Sequence, residues 1–237
     1  NYNCSASNIN NNLKSINNII KSEVDYVGGI AGYYIGNGNM EAEVESCQIS
    51  GKSRVGGILG HQQNVRIKYS TVNNTTVSGT NVNSEYVGGI VGYSTYPIEF
   101  SSIKNSDIIS KGKRLGGIAG YSSNYIHTSH VTNTKIQGLS EIGGIVGEIY
   151  GNQGGQLYNT YTNAEVKAIE KDAGGIIGYL TNSNTNATTV IQIYNNSVEG
   201  AKIEASENVG GLIGYIEDDL FTQTNSNYYR NNYVHAY

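Results

Sequence analysis

The sequence predicts an all-β chain wound as a parallel β-solenoid (β-helix) of about seven coils, with one GGxxG core per coil. Three observations predict it. A six-position glycine motif recurs seven times, the segments between its copies alternate apolar and polar residues, and the composition suits short strands joined by tight turns.

The motif reads apolar-Gly-Gly-apolar-apolar-Gly. Its glycine pairs are Gly28 and Gly29, Gly56 and Gly57, Gly88 and Gly89, Gly116 and Gly117, Gly143 and Gly144, Gly174 and Gly175, and Gly210 and Gly211. The intervals run from 27 residues (Gly116 to Gly143) to 36 (Gly174 to Gly210). A propeller blade needs four strands and usually about 40–50 residues, so this repeat is too short for one. A β-helix coil fits, because each coil buries its apolar side only by stacking on its neighbours. Seven coils at about 4.8 Å would make a rod roughly 35 Å long. The glycine pair lets the backbone turn or approach the next coil where a Cβ would collide. Ile30, Ile58, Ile90, Ile118, Ile145, Ile176 and Leu212 follow at one offset and read as an interior aliphatic ladder.

Between the cores lie looser segments such as YSTVNNTTVSG from Tyr69, HTSHVTNTKIQG from His127, YNTYTNAEVKA from Tyr158 and YNNSVEGAKIEA from Tyr194. Alternation at period two marks strands with one buried face. Each repeat is therefore read as a glycine-rich strand, a variable polar turn and one or two further short strands. The chain contains 31 Gly, 20 Tyr, one Pro and no Trp. Strands favour β-branched and aromatic residues, while Gly and Asn tolerate the left-handed conformations of turns. Three segments result: 1–26, a lead-in or partial coil; 27–216, the solenoid; and 217–237, a tail or partial coil. Within the first, Leu13, Ile16 and Ile20 have helix-like spacing, which predicts a short helix between Asn8 and Lys21.

The cores resemble the GLUG repeat, a bacterial surface-protein motif found in the amino-terminal regions of immunoglobulin A1 metalloproteases and related zinc metallopeptidases. The resemblance covers roughly Val27 to Tyr215 and rests on cores such as VGGIAGY, VGGIVGY and LGGIAGY. It implies an extracellular or cell-surface solenoid, bacterial in origin. The zinc signature HExxH of that family is absent from this sequence. The segment would then hold or orient substrate for a catalytic region elsewhere. The chain opens on Asn1 without Met or leader, consistent with an excerpt.

Several function classes are disfavoured by residue inventory. A net charge of -4 with scattered basic residues argues against nucleic-acid binding, and no apolar run is long enough to span a bilayer. The cores lack the GKS or GKT ending of a phosphate loop and the GxGxxG of a dinucleotide fold. His61, His127, His130 and His235 lack metal-ligand spacing, and His127 and His130 read as surface residues of a strand. Glu217, Asp218 and Asp219 read as a solvated acidic loop. Cys4 and Cys47 read as free, buried thiols, with a disulfide as the alternative if the two occupy equivalent places in adjacent coils. No cofactor or metal is expected.

One series invites a functional reading. Tyr33, Tyr93, Tyr121, Tyr179 and Tyr215 directly follow their cores, with His61 and Glu148 at the same offset in the other two repeats. Stacked coils would align these positions, as a packing ladder or as an aromatic stripe for a host protein or glycan. A buried Glu without a partner is costly, so Glu148 predicts local exposure. The expected function is a non-catalytic binding or substrate-positioning scaffold. The alternative is a glycan-active lyase or hydrolase on a β-helix, which would require carboxylates clustered on adjacent coils.

Overall fold

The computed structural model of the chain describes residues 12–150, 156–181, 191–217 and 228–235. Among them every element is a β-strand, and the strands pair in parallel from coil to coil. The fold is a parallel β-solenoid with four sheets along its length. Seven strands, from Ala31–Ile35 to Ile213–Ile216, form the sheet that leaves each glycine pair. Seven shorter ones, from Asn39–Met40 to Tyr228–Arg230, form the next, and eight, from Leu13–Ile16 to Tyr233–His235, the third. Complete turns number slightly fewer than the seven coils read from the sequence.

The remaining sheet has 12 strands and joins two ladders. One runs through Gln48–Gly51, Thr76–Gly79 and Asp107–Ser110; the other through Val55–Gly56, Glu85–Gly88 and Lys113–Gly116. They fuse in the nine-residue strand Lys135–Gly143 and the ten-residue strand Glu165–Gly174. Elsewhere residues such as 80–84 intervene as a turn, and there the interval from Gly56 to Gly88 lengthens without disturbing the stack. Each repeat thus contains more short strands than its sequence suggested.

Register follows the motif. Gly28 faces Gly56, Gly56 faces Gly88, Gly88 faces Gly116, and the series continues to Gly210. The chain bends at Gly57 and Ile58, so the pair marks a corner between two sheets. A Cβ on Gly56 would lie 2.8 Å from the Gly92 nitrogen and 2.9 Å from the Ile90 carbonyl oxygen, both in the next coil. Ile58, Ile90, Ile118, Ile145 and Ile176 are fully buried. Ile30 and Leu212 are only partly so, being at the ends of the ladder. Other aliphatic columns complete the core, including Val44, Val72, Ile103 and Val131 in register. Burying each such side chain contributes about 1.5–3 kcal/mol.

The remaining corners explain the abundance of Asn, Ser and Thr. Non-glycine residues take left-handed backbone conformations in three columns. One contains Asn17, Ser46, Asn74, Asn105 and Asn133, another Tyr69, Phe100, Thr128, Asn159 and Asn195. Asn adopts this region more readily than other L-residues. A buried hydroxyl follows at most of these corners. Ser101 Oγ accepts the Ser70 N–H (3.3 Å) one coil away and donates to the Glu99 carbonyl (2.8 Å). Ser106 repeats the arrangement with the Thr75 N–H (3.1 Å) and the Lys104 carbonyl (2.7 Å). These bonds satisfy backbone groups that the sheets cannot reach at a corner.

Residues 13–21 correct the expected helix. Leu13–Ile16 and Ile19–Lys21 are strands that pair with Ala42–Glu45 and Gln48–Gly51. The three apolar residues sit in two strands separated by the left-handed Asn17, and the neighbouring coil supplies hydrogen-bond partners that outweigh local helical spacing. Cys47 is a free, buried thiol whose sulfur lies 3.4 Å from the Asn18 nitrogen; Cys4 lies outside the described residues. So do Asp218 and Asp219.

Candidate functional site

Tyr33, His61, Tyr93, Tyr121, Glu148, Tyr179 and Tyr215 fall in register along one sheet. A second column runs beside them, made of the left-handed residue that precedes each apolar-Gly-Gly: Tyr26, Arg54, Tyr86, Arg114, Glu141, Asp172 and Asn208. The third glycine of the core is what lets these columns lie together. A Cβ on Gly92 would lie 2.6 Å from the Arg54 carbonyl carbon, so only glycine accommodates the left-handed turn there.

The two columns interlock through rings and charges. Tyr93 and Tyr121 stack with centroids 4.3 Å apart and planes 3° from parallel, and Tyr179 stacks on Tyr215 at 5.6 Å. Tyr86 packs edge-on against both Tyr93 and Tyr121. Tyr33 meets His61 edge-on at 4.6 Å and Tyr26 at 5.4 Å. A ring whose faces meet its column neighbours offers a ligand its edge and hydroxyl. Arg54 lies 5.2, 5.6 and 5.4 Å from the Tyr26, Tyr86 and Tyr93 rings, within cation–π range. Tyr26 is 41% exposed and Tyr215 39%, while Tyr33, Tyr93 and Tyr179 are half-buried. Tyr121, in the middle, is buried.

Glu148 corrects the expectation of local exposure. Its carboxylate is buried and lies 2.5 Å from Arg114 Nε, which donates to Glu141 at 2.7 Å. Arg114 also reaches Glu85 and the Tyr86 hydroxyl, at 3.2 and 3.0 Å. Burial pushes the Glu148 carboxyl up to about 7; Arg114 opposes the rise and Glu141 adds to it. Burial likewise lowers His61 to about 4, with the Arg54 charge contributing. It raises the Tyr121 hydroxyl, and lifts Tyr179 to about 12 together with Glu217.

A second aromatic group, unassigned in the sequence, lies on the short-strand sheet. His127, Tyr158 and Tyr194 stack in register with planes 1–2° from parallel. Tyr69 and Phe100 stack at the adjoining corner, exposed. Buried Glu99 anchors this group, with Lys68 Nζ at 2.8 Å, Arg66 Nε at 2.9 Å and the Tyr125 hydroxyl donating at 2.9 Å. Burial alone would raise Glu99, but the Lys68 and Tyr125 hydrogen bonds and the Arg66 charge hold it below its ordinary value. His127 is therefore part-buried beside Glu99 (3.6 Å) rather than a surface residue, although His130 is exposed. The tyrosines opening the segments at Tyr69, Tyr158 and Tyr194 carried the signal for this group.

No group of three or more His, Cys, Asp or Glu side chains placed to hold a metal occurs among the described residues. No described helix is long and apolar enough to cross a membrane. Comparisons with known proteins match no protein family, no curated protein and no solved structure.

Proposed function

We propose that this chain is a non-catalytic repeat scaffold that binds a host glycan or protein along its tyrosine and arginine columns. In this reading it belongs to a bacterial surface or secreted protein, or positions substrate within a larger metallopeptidase, and it acts outside the cell. The observation that carries the reading is the pairing of Tyr26, Tyr33, Arg54, His61, Tyr86 and Tyr93 on adjacent coils, several of them solvent-accessible. Amphipathic aromatic and guanidinium groups are enriched where proteins meet ligands. The test is a glycan array and a host-protein array probed with wild type and with Tyr33→Ala and Tyr93→Ala. Loss of captured ligand in folded variants supports the reading; full retention rejects this surface.

One observation favours the glycan-active alternative. Glu141 and Glu148 share a coil, and Arg114 on the coil before joins them. Against it, both carboxylates are buried and engaged with one guanidinium, whereas glycoside cleavage needs two carboxyls that flank an accessible bond.

A further inference from the structure

Arg54 and Arg114 occupy the same left-handed column two coils apart, yet their charges are treated oppositely. Arg114 is compensated by Glu85, Glu141 and Glu148 at 3.2, 2.7 and 2.5 Å. Arg54 makes no ion pair among the described residues. Its guanidinium is held by the Tyr26, Tyr86 and Tyr93 rings, and its Nε is buried without a hydrogen-bond partner. A cation partly removed from water and lacking a counter-charge is costly, and an arriving anion would recover that cost.

We propose that Arg54 is the recognition centre of a site for a carboxylate-bearing saccharide, a uronic or sialic acid unit, bound at the Tyr26 end of the tyrosine column. This inference rests on the proposed glycan-binding role and specifies its ligand class. The guanidinium fork matches a carboxylate in bidentate geometry, which a neutral sugar cannot exploit. The surroundings suit a hydroxyl-rich ligand. Tyr26 is exposed, the Tyr33 hydroxyl already donates to Gln63 Oε1 at 2.7 Å, and the His61 ring beside them has an unbonded, buried Nδ1. His61 stays neutral above about pH 4, so it adds hydrogen-bonding capacity without a second cation. The contrast with Arg114 makes the site local: further along the same column the cation is already engaged by Glu85, Glu141 and Glu148 and has no charge to offer an acidic sugar.

The experiment titrates the whole chain with oligogalacturonate, its carboxyl-reduced counterpart, 3′-sialyllactose, lactose and a poly-glutamate peptide. Wild type should bind at least one carboxylated saccharide about tenfold or more tighter than its neutral counterpart, weakening as salt is raised. Arg54→Gln should remove that discrimination, and Arg54→Lys should restore it only in part. Wild type needs no variant to fold, so its discrimination alone decides the first point. Equal binding of carboxylated and neutral saccharides would overturn the Arg54 inference and leave the glycan-binding role standing. Binding of no saccharide would overturn both. Poly-glutamate binding as tight as the acidic saccharides would overturn the saccharide assignment.

Discussion

Arg114 Nε lies 2.5 Å from Glu148 Oε2 and 2.7 Å from Glu141 Oε2, so one guanidinium bridges two buried carboxyl groups supplied by the next coil. Removing the cation leaves both acids in a low-dielectric site with only Lys113, 4.0 Å from Glu141, to compensate them, which costs about 3–5 kcal/mol. Arg114→Met is expected to lower the melting temperature by many degrees, more than Glu148→Gln does. Equal melting of Arg114→Met and wild type would show the cluster to be energetically idle.

The same cluster sets one sign of the pH dependence. Glu148 has a folded pKa of about 7, above its unfolded value, so its contribution is fully present below about pH 4.5 and is lost as pH rises to about 7. Lys113 and Glu85 also face this group, and Arg114 opposes the loss. His61 acts oppositely. Its folded value of about 4 means that stability present above about pH 6.5 is lost as pH falls towards 4. Melting curves from pH 4 to 8 should show a smaller alkaline-side decline in Glu148→Gln and a smaller acid-side decline in His61→Phe. Unchanged slopes in both variants would contradict these assignments.

Corner chemistry makes a third expectation. Asn105 has φ of 49°, where a β-branched side chain is strained, so Asn105→Val should cost about 1–2 kcal/mol while Asn105→Gly is nearly neutral. Ser101→Ala should cost about 1–2 kcal/mol, because the buried Ser70 N–H loses its acceptor. Denaturant unfolding of the three variants gives the ranking, and an Asn105→Val as stable as Asn105→Gly would deny the left-handed corner.

The repeat, its parallel register and the buried isoleucine ladder were legible in the sequence, since glycine pairs and a fixed-offset aliphatic repeat at every coil. The tyrosine alignment followed from that register alone. The partnering of Glu148 was not legible. Arg114 lies 34 positions earlier, and only the coil pitch brings the two together. The column containing Arg54 was hidden for a related reason: its members are Tyr, Arg, Glu, Asp and Asn, alike in backbone conformation and not in side-chain type. The helix-like spacing of Leu13, Ile16 and Ile20 misled because a neighbouring coil, invisible to a local window, supplies the pairing that decides the structure.

A fourth expectation concerns the core. Ile118 has no exposed surface and its backbone bonds bridge the coils on either side, with its N–H donated to Ile145 (2.8 Å) and its carbonyl accepting from Ile90 (2.9 Å). Ile118→Asp places an unpaired charge among aliphatic side chains and should abolish the cooperative transition, whereas Ile118→Val should cost about 0.5–1.5 kcal/mol. A normal melting transition for Ile118→Asp would remove Ile118 from the interior.

The last expectation concerns chemistry, where Glu148 is the most suspect group. A carboxyl titrating near 7 has the protonation behaviour of a general acid, and Glu141 beside it has a nucleophile's or base's functional group. Position argues against that role. Both carboxylates are buried, and one guanidinium bridges them. Glu99, the other buried glutamate of the aromatic surfaces, is held by Lys68, Arg66 and Tyr125 below its ordinary range, which suits neither proton donation nor proton acceptance near neutral pH. Incubation with immunoglobulin A1 and a panel of host and plant polysaccharides, with and without zinc or calcium, should therefore yield no fragment detectable by mass spectrometry. Cleavage that disappears in Glu148→Gln while the fold persists would replace the scaffold reading with the glycan-active one, or with a peptidase if the immunoglobulin is cut.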